Sequence, residues 1–280
     1  MRIPFVDRDP TQVEVEKLRL ILSTYQDGTG QQVVRNGRTL PGWRDFERTV
    51  AAAFGGEPQE SKFIFDVLIP DPNRDGVFYG ISCKMRRTLD ETYNRGKVTI
   101  ELSNSAGKFW QNLQEYGLDQ TNYRESPQTV GKALITMVEK WHKDVEINDR
   151  GRRIDLEKSF YLALSWKEPG EYQLFKFALK LPNPENLIWD FPNVKQGGLS
   201  KPGRRLTGKD KPETILFEWY GESGGQLKYY PLVKHALWKS DPFSLEPLPE
   251  NDTAKYGILA KAQVYFPQQW EKILRGKNYE

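Results

Sequence analysis

Residues 62–87, KFIFDVLIPDPNRDGVFYGISCKMRR, constrain this chain more than any other stretch. Phe63, Ile64, Phe65, Val67, Leu68 and Ile69 form a dense run of strand-forming apolar residues. It stops at Pro70-Asp71-Pro72-Asn73, a strong turn signal. A second run, Val77-Phe78-Tyr79-Gly80-Ile81, leads into Ser82-Cys83-Lys84. An antiparallel hairpin with its loop near residues 70–77 sets Asp66 opposite Ser82. Strand side chains alternate between faces, so Ser82 and Lys84 share one face and Lys84 lies diagonal to Asp66. A slip of one residue would turn Asp66 to the other face.

An aspartate and a lysine inside apolar strands are costly to bury unless they pair or bind an ion. One interpretation is a single buried ion pair; the other is a site. Composition narrows the chemistry. Two histidines, His142 and His235, disfavour a histidine metal centre, and the lone Cys83 excludes an internal disulfide and a cysteine-rich zinc site. No apolar run is long enough to span a membrane, and the first residues carry no secretory pattern, so an intracellular protein is expected. The net charge of +3 is too small to indicate a nucleic-acid partner by itself.

Taken in order, Thr11 and Glu14 form a capping box that starts a helix running to about Tyr25. The glycines of residues 26–31 lack the strand and lysine of a nucleotide-binding loop and are expected to be plain loop. A second helix is predicted over Trp43–Phe54, between Pro41-Gly42 and Gly55-Gly56. Its expected apolar stripe is Trp43, Val50 and Phe54, with the carboxylate of Glu47 inside it. After the hairpin, residues 98–102 alternate as a strand. Ser105 and Ser126-Pro127 open two further helices, His142 lying beside the stripe of the second as a structural residue. Strands are expected at 160–166, 172–180, Thr214–Tyr220 and 226–233, and a last helix at 267–274. Residues 195–211 carry Lys195, Lys201, Arg204, Arg205, Lys209 and Lys211 among glycines and prolines. They are expected to form a flexible basic loop, either solvated or tracking phosphates.

The order of elements over residues 43–180, with Gly42-x-x-x-Phe46-Glu47, then Phe65-Asp66-Val67, then Ile81-Ser82-Cys83-Lys84, resembles the PD-(D/E)XK nuclease superfamily, most closely its type II restriction endonucleases. The resemblance covers about half the chain. It implies an α/β fold with a mixed sheet. The expected division is an N-terminal helical segment (1–40), a nuclease core (41–185) and a strand-rich DNA-recognition lobe (186–280). It further implies Mg²⁺ held by Asp66, with the backbone carbonyl of Cys83 in the shell and Lys84 as the catalytic cation. The family's acid two residues before the lysine is Ser82 here, and a hydroxyl is a poor Mg²⁺ ligand. A carboxylate from elsewhere is therefore expected. Glu47 is the first candidate, Glu101 the second and Glu60 the third.

The implied activity is Mg²⁺-dependent, sequence-specific cleavage of double-stranded DNA by a homodimer, since a palindromic site with one cut per strand calls for two-fold symmetry. Another nuclease on the same core, serving repair, recombination or transposition, and a DNA-binding module with a dead site are the alternatives. Arg86 and Arg87 are expected at backbone phosphates. Base contacts are sought among residues 195–211 and 221–228.

Overall fold

A computed structural model describes residues 2–33, 39–59, 64–146, 151–196, 199–249 and 257–276. The fold is α/β with a mixed sheet, and seven α-helices stand among the described residues. The chain divides into two compact units, both discontinuous in sequence. The first comprises residues 1–94, 146–179 and 236–280; the second comprises 95–145 and 180–235. The boundaries expected at 40 and 185 are not those of the units. Residues 95–145, assigned to the core from the sequence, join the second unit, and the C-terminal 45 residues return to the first.

The first unit is built on an eight-stranded sheet. Glu57–Pro58, Val67–Pro70 and Val77–Arg86 run antiparallel in succession, Phe160–Lys167 lies parallel to Val77–Arg86, and Glu171–Ala178 returns antiparallel. Trp238–Lys239 and Phe243–Ser244 close the Glu171–Ala178 edge. The helix Gln12–Ser23 starts at the expected capping box, and Arg8 grips Glu14 with two 2.8 Å bonds. The helix Trp43–Phe54 has the predicted bounds. Asp45 fixes its start by accepting from the N–H groups of Gly42 and Gln31, and Gly55, in the left-handed region, ends it.

This helix places Phe46, Val50, Ala51 and Ala53 in one core with Val67, Ile69, Ile81 and Cys83. The expected stripe is corrected here: Phe46 takes the position given to Trp43, which is 52% exposed beneath the guanidinium of Arg44. The aspartate run is also shorter as a strand than expected. Phe63 lies outside the described residues, Ile64 and Phe65 precede the strand, and the strand begins at Val67. The reason is Phe65, whose ring lies over Gly80, where a Cβ would come within 2.4 Å of it.

In the second unit, a five-stranded antiparallel sheet runs in the order Ile188–Asp190, Leu206–Lys211, Thr214–Tyr220, Gln226–Tyr229, Ile100–Ser103. Trp189, Phe217, Trp219 and Leu227 alternate to an apolar face, in one unit with the helices Ala106–Gln114 and Pro127–Asp144. His142 is buried in the longer helix, as expected of a structural residue. The flexible basic loop is a second correction. Asn193–Gln196 and Leu199–Pro202 pair as an antiparallel ribbon, and Leu206–Lys211 is an inner strand of the sheet; Gly197 and Gly198 lie outside the described residues.

Candidate active site

The ladder between the first hairpin strands pairs Val67 with Ile81 and Ile69 with Tyr79, the register expected from the sequence. Asp66 lies one residue beyond it, at a bend. Its backbone N–H donates to the Ile81 carbonyl at 2.9 Å and its carbonyl accepts from Gln59 at 2.9 Å. With the backbone held on both sides, the carboxylate turns to the lysine strand. Its Oδ2 accepts from the Cys83 N–H at 2.7 Å and lies 3.5 Å from Lys84 Nζ. Both side chains keep about a fifth of their surface exposed, 22% for Asp66 and 19% for Lys84, so the pair is open to solvent at one side.

Glu47 joins this pair from the helix. Its half-buried carboxyl is pushed up to about 7, first by loss of hydration and then by the negative charge of Asp66. Lys84 and Arg44 pull the other way without cancelling the rise. Glu47 thus keeps its proton to near neutral pH. Burial, reinforced by Asp66 and Glu47, pushes the Cys83 thiol up and keeps it protonated. As expected, Cys83 packs in the core; the backbone group it turns to Asp66 is its N–H, not the carbonyl that the family resemblance places in a metal shell. Ser82 is 3% exposed and alternates to the face of Lys84, bringing a hydroxyl and no charge.

The structure therefore brings Glu47, Asp66 and Lys84 together, with the Cys83 backbone beside them. Glu101 stands in the second unit, opposite Lys228 on an edge strand, and accepts from Gln226 Nε2 at 2.6 Å. Glu60 lies outside the described residues. Among the described residues, no group of three or more His, Cys, Asp or Glu side chains converges as a metal cage. The donor set still suits Mg²⁺, which takes hard oxygens and commonly one or two carboxylates with several waters. A dication held by Glu47 and Asp66 would offset the negative charge of Asp66 that acts on Glu47.

The expected DNA-binding cations separate into two kinds. Arg87 pairs with Glu168 at 2.9 Å and lies over the Trp166 ring, and Arg86 ends the lysine strand. Arg204 meets Glu222 at 3.1 Å, Arg205 meets Glu218 at 2.8 Å and Lys209 meets Asp190 at 2.7 Å. Lys195 and Lys201 are exposed on the ribbon, and Lys211 is exposed at the end of the strand Leu206–Lys211. Sequence reading missed Arg44, whose charge acts on Glu47 from one helical turn away; the i, i+3 spacing was the available signal.

Comparisons with protein-family models, curated proteins and solved structures find no match to this chain.

Proposed function

We propose that the chain is a Mg²⁺-dependent endonuclease of the PD-(D/E)XK type. It hydrolyses phosphodiester bonds of double-stranded DNA at a specific sequence, in the manner of a type II restriction enzyme, with two copies acting on the two strands. The observation that carries this reading is Lys84 3.5 Å from Asp66, with the Glu47 carboxyl close enough to the pair to feel the charge of both. The order of helix, antiparallel strands and return strand supports it, because it is the order the family resemblance implies.

Asp66 and Glu47 would hold the ion, which when bound lowers the pKa of a water and polarises the phosphate. The Cys83 N–H fixes one oxygen of Asp66 and so sets the direction of the carboxylate. Lys84 supplies a fixed positive charge where the attacking water and the phosphate oxygens must meet, and stabilises the charge that builds on those oxygens. Its 3.5 Å separation from Asp66 is long for a structural ion pair and leaves the ammonium able to serve a ligand. Ser82, standing where an acid is expected, favours a second reading, a DNA-binding module without activity.

A plasmid digest with and without Mg²⁺ separates these. Discrete fragments appearing only with the metal are expected, and both Lys84→Ala and Asp66→Ala should abolish them while keeping a wild-type thermal melt. Near wild-type cutting by either variant would overturn the site. A metal-dependent smear would point to a repair or recombination nuclease, and DNA binding without cleavage to the inactive module.

A further inference from the structure

The polar face of the second unit's sheet contains a cluster that the hydrolytic site does not use. One cross-strand row reads Asp190, Thr207, Glu218, Lys228, Glu101. At its centre the Glu218 carboxylate is only 10% exposed and fully engaged. Oε1 pairs with Arg205 at 2.8 Å, and Oε2 accepts from the hydroxyls of Tyr220 at 2.8 Å and Tyr230 at 2.6 Å. Tyr220 also carries the Lys228 ammonium 5.1 Å from its ring centre. Arg205 itself is 44% exposed.

We infer that Arg205 is a base-reading residue, locked and neutralised by Glu218 and presented to guanine in the major groove of duplex DNA. The inference rests on the reading of the chain as a DNA-acting protein and assigns part of its specificity. A phosphate contact draws on net positive charge, because its free energy comes largely from counterion release. An arginine already paired with a buried carboxylate has little net charge to offer. A base edge is neutral and asks for directional donors instead, and the guanidinium fork matches guanine O6 and N7. Its five N–H groups exceed what the Glu218 carboxylate can use. The supporting glutamate and two tyrosines hold the fork still, which is what a bidentate contact needs. Lys195 and Lys201, exposed on the ribbon, are of the kind suited to phosphates.

The test uses the full chain carrying Lys84→Ala, so that DNA is bound and not cut, and a pool of duplex oligonucleotides with a randomised centre. After selection, affinity for the enriched sequence and for a scrambled one is measured against salt. Adding Arg205→Ala together with Glu218→Gln, which removes the pair without changing the net charge, should weaken binding to the enriched sequence about ten-fold or more and erase the preference at one G·C pair, leaving the scrambled duplex and the salt slope unchanged. Glu218→Gln alone keeps the shape and frees the charge. It should strengthen scrambled binding and steepen the slope by up to about one. Arg205→Lys, a milder change to the fold, should lose the same preference.

Equal loss on both duplexes with a flatter slope would make Arg205 a phosphate contact and overturn the inference. Unchanged selection and affinity would leave it an ordinary ion pair and overturn it equally. Binding without any enriched sequence sinks the inference while the hydrolase reading stands, provided the wild type cleaves. A G·C-dependent selection with a wild type that never cleaves sinks the hydrolase reading alone.

Discussion

A glutamate that keeps its proton up to about pH 7 makes metal binding and stability depend on pH in opposite senses. Unfolded, Glu47 loses its proton near 4.3. Between that value and about 7 the native state binds more protons than the unfolded one, so stability falls as pH rises through this window. Glu47→Gln should therefore raise the melting temperature of metal-free protein at pH 8 and have little effect at pH 4. The gain is on the order of 1 kcal/mol, because the half-buried site is partly screened by solvent. Metal capture runs the other way, since the ligand must be deprotonated. At limiting Mg²⁺, single-turnover cleavage should rise about ten-fold per pH unit up to about 7. High Mg²⁺ should shift that rise to lower pH. Glu47→Gln should lower the rate by more than about 100-fold, beyond the usual cost of an outer-shell partner, and Glu101→Gln should cut normally. If Glu47→Gln cuts normally, Glu47 is not the second carboxylate. The choice of Glu47 was legible from its position in an apolar helix, but the rise of its carboxyl beside Asp66 was not, because no sequence pattern measures the distance between two elements.

At the scale of the element, the helix Trp43–Phe54 was readable at both ends, since Pro41-Gly42 and Gly55-Gly56 punctuate it. Its buried face was not. Helical spacing lets either Trp43 or Phe46 join Val50, and Phe46 packs in the core while the larger indole remains outside beneath Arg44. The aspartate strand failed in a related way. An apolar run signals burial, and Phe65 is fully buried, but over the lysine strand instead of in the ladder. That contact is possible only because residue 80 has no side chain. Gly80→Ala would set a methyl within 2.4 Å of the Phe65 ring, one residue from Asp66. It should destabilise the fold by about 1–3 kcal/mol in denaturant titration, as overpacking does. It should also slow cleavage more than that loss explains, by displacing Asp66 from Cys83. Phe65→Leu in the same chain should recover part of both effects. Wild-type stability in Gly80→Ala would show that the ring moves aside freely.

For the whole molecule, local pattern finds elements, but it does not say where the chain returns. Thr214–Tyr220 alternates visibly, whereas Leu206–Lys211 carries Gly208 and three charges and is a strand through its neighbours on both sides. The basic segment was accordingly misread as loop. The same limit misplaced the C-terminus, which composition groups with the strand-rich lobe. In the fold, Ala262, Tyr265, Phe266, Trp270 and Ile273 are buried in the core that holds Phe46, Ile81 and Cys83. Lys261 pairs with Asp27 at 2.6 Å, and Arg19 with Glu246 at 2.8 Å. A chain ending at residue 185 keeps Glu47, Asp66 and Lys84 but loses this entire layer. At about 1.5–3 kcal/mol for each large buried side chain, the loss is on the order of 10 kcal/mol, comparable to the whole stability of a domain. The shortened protein should show no cooperative thermal transition, lose its near-ultraviolet circular dichroism and cleave no DNA. A sharp melt and a native aromatic spectrum from residues 1–185 would mean that the core holding Glu47, Asp66 and Lys84 is contiguous in sequence and that the last helices are an accessory to it.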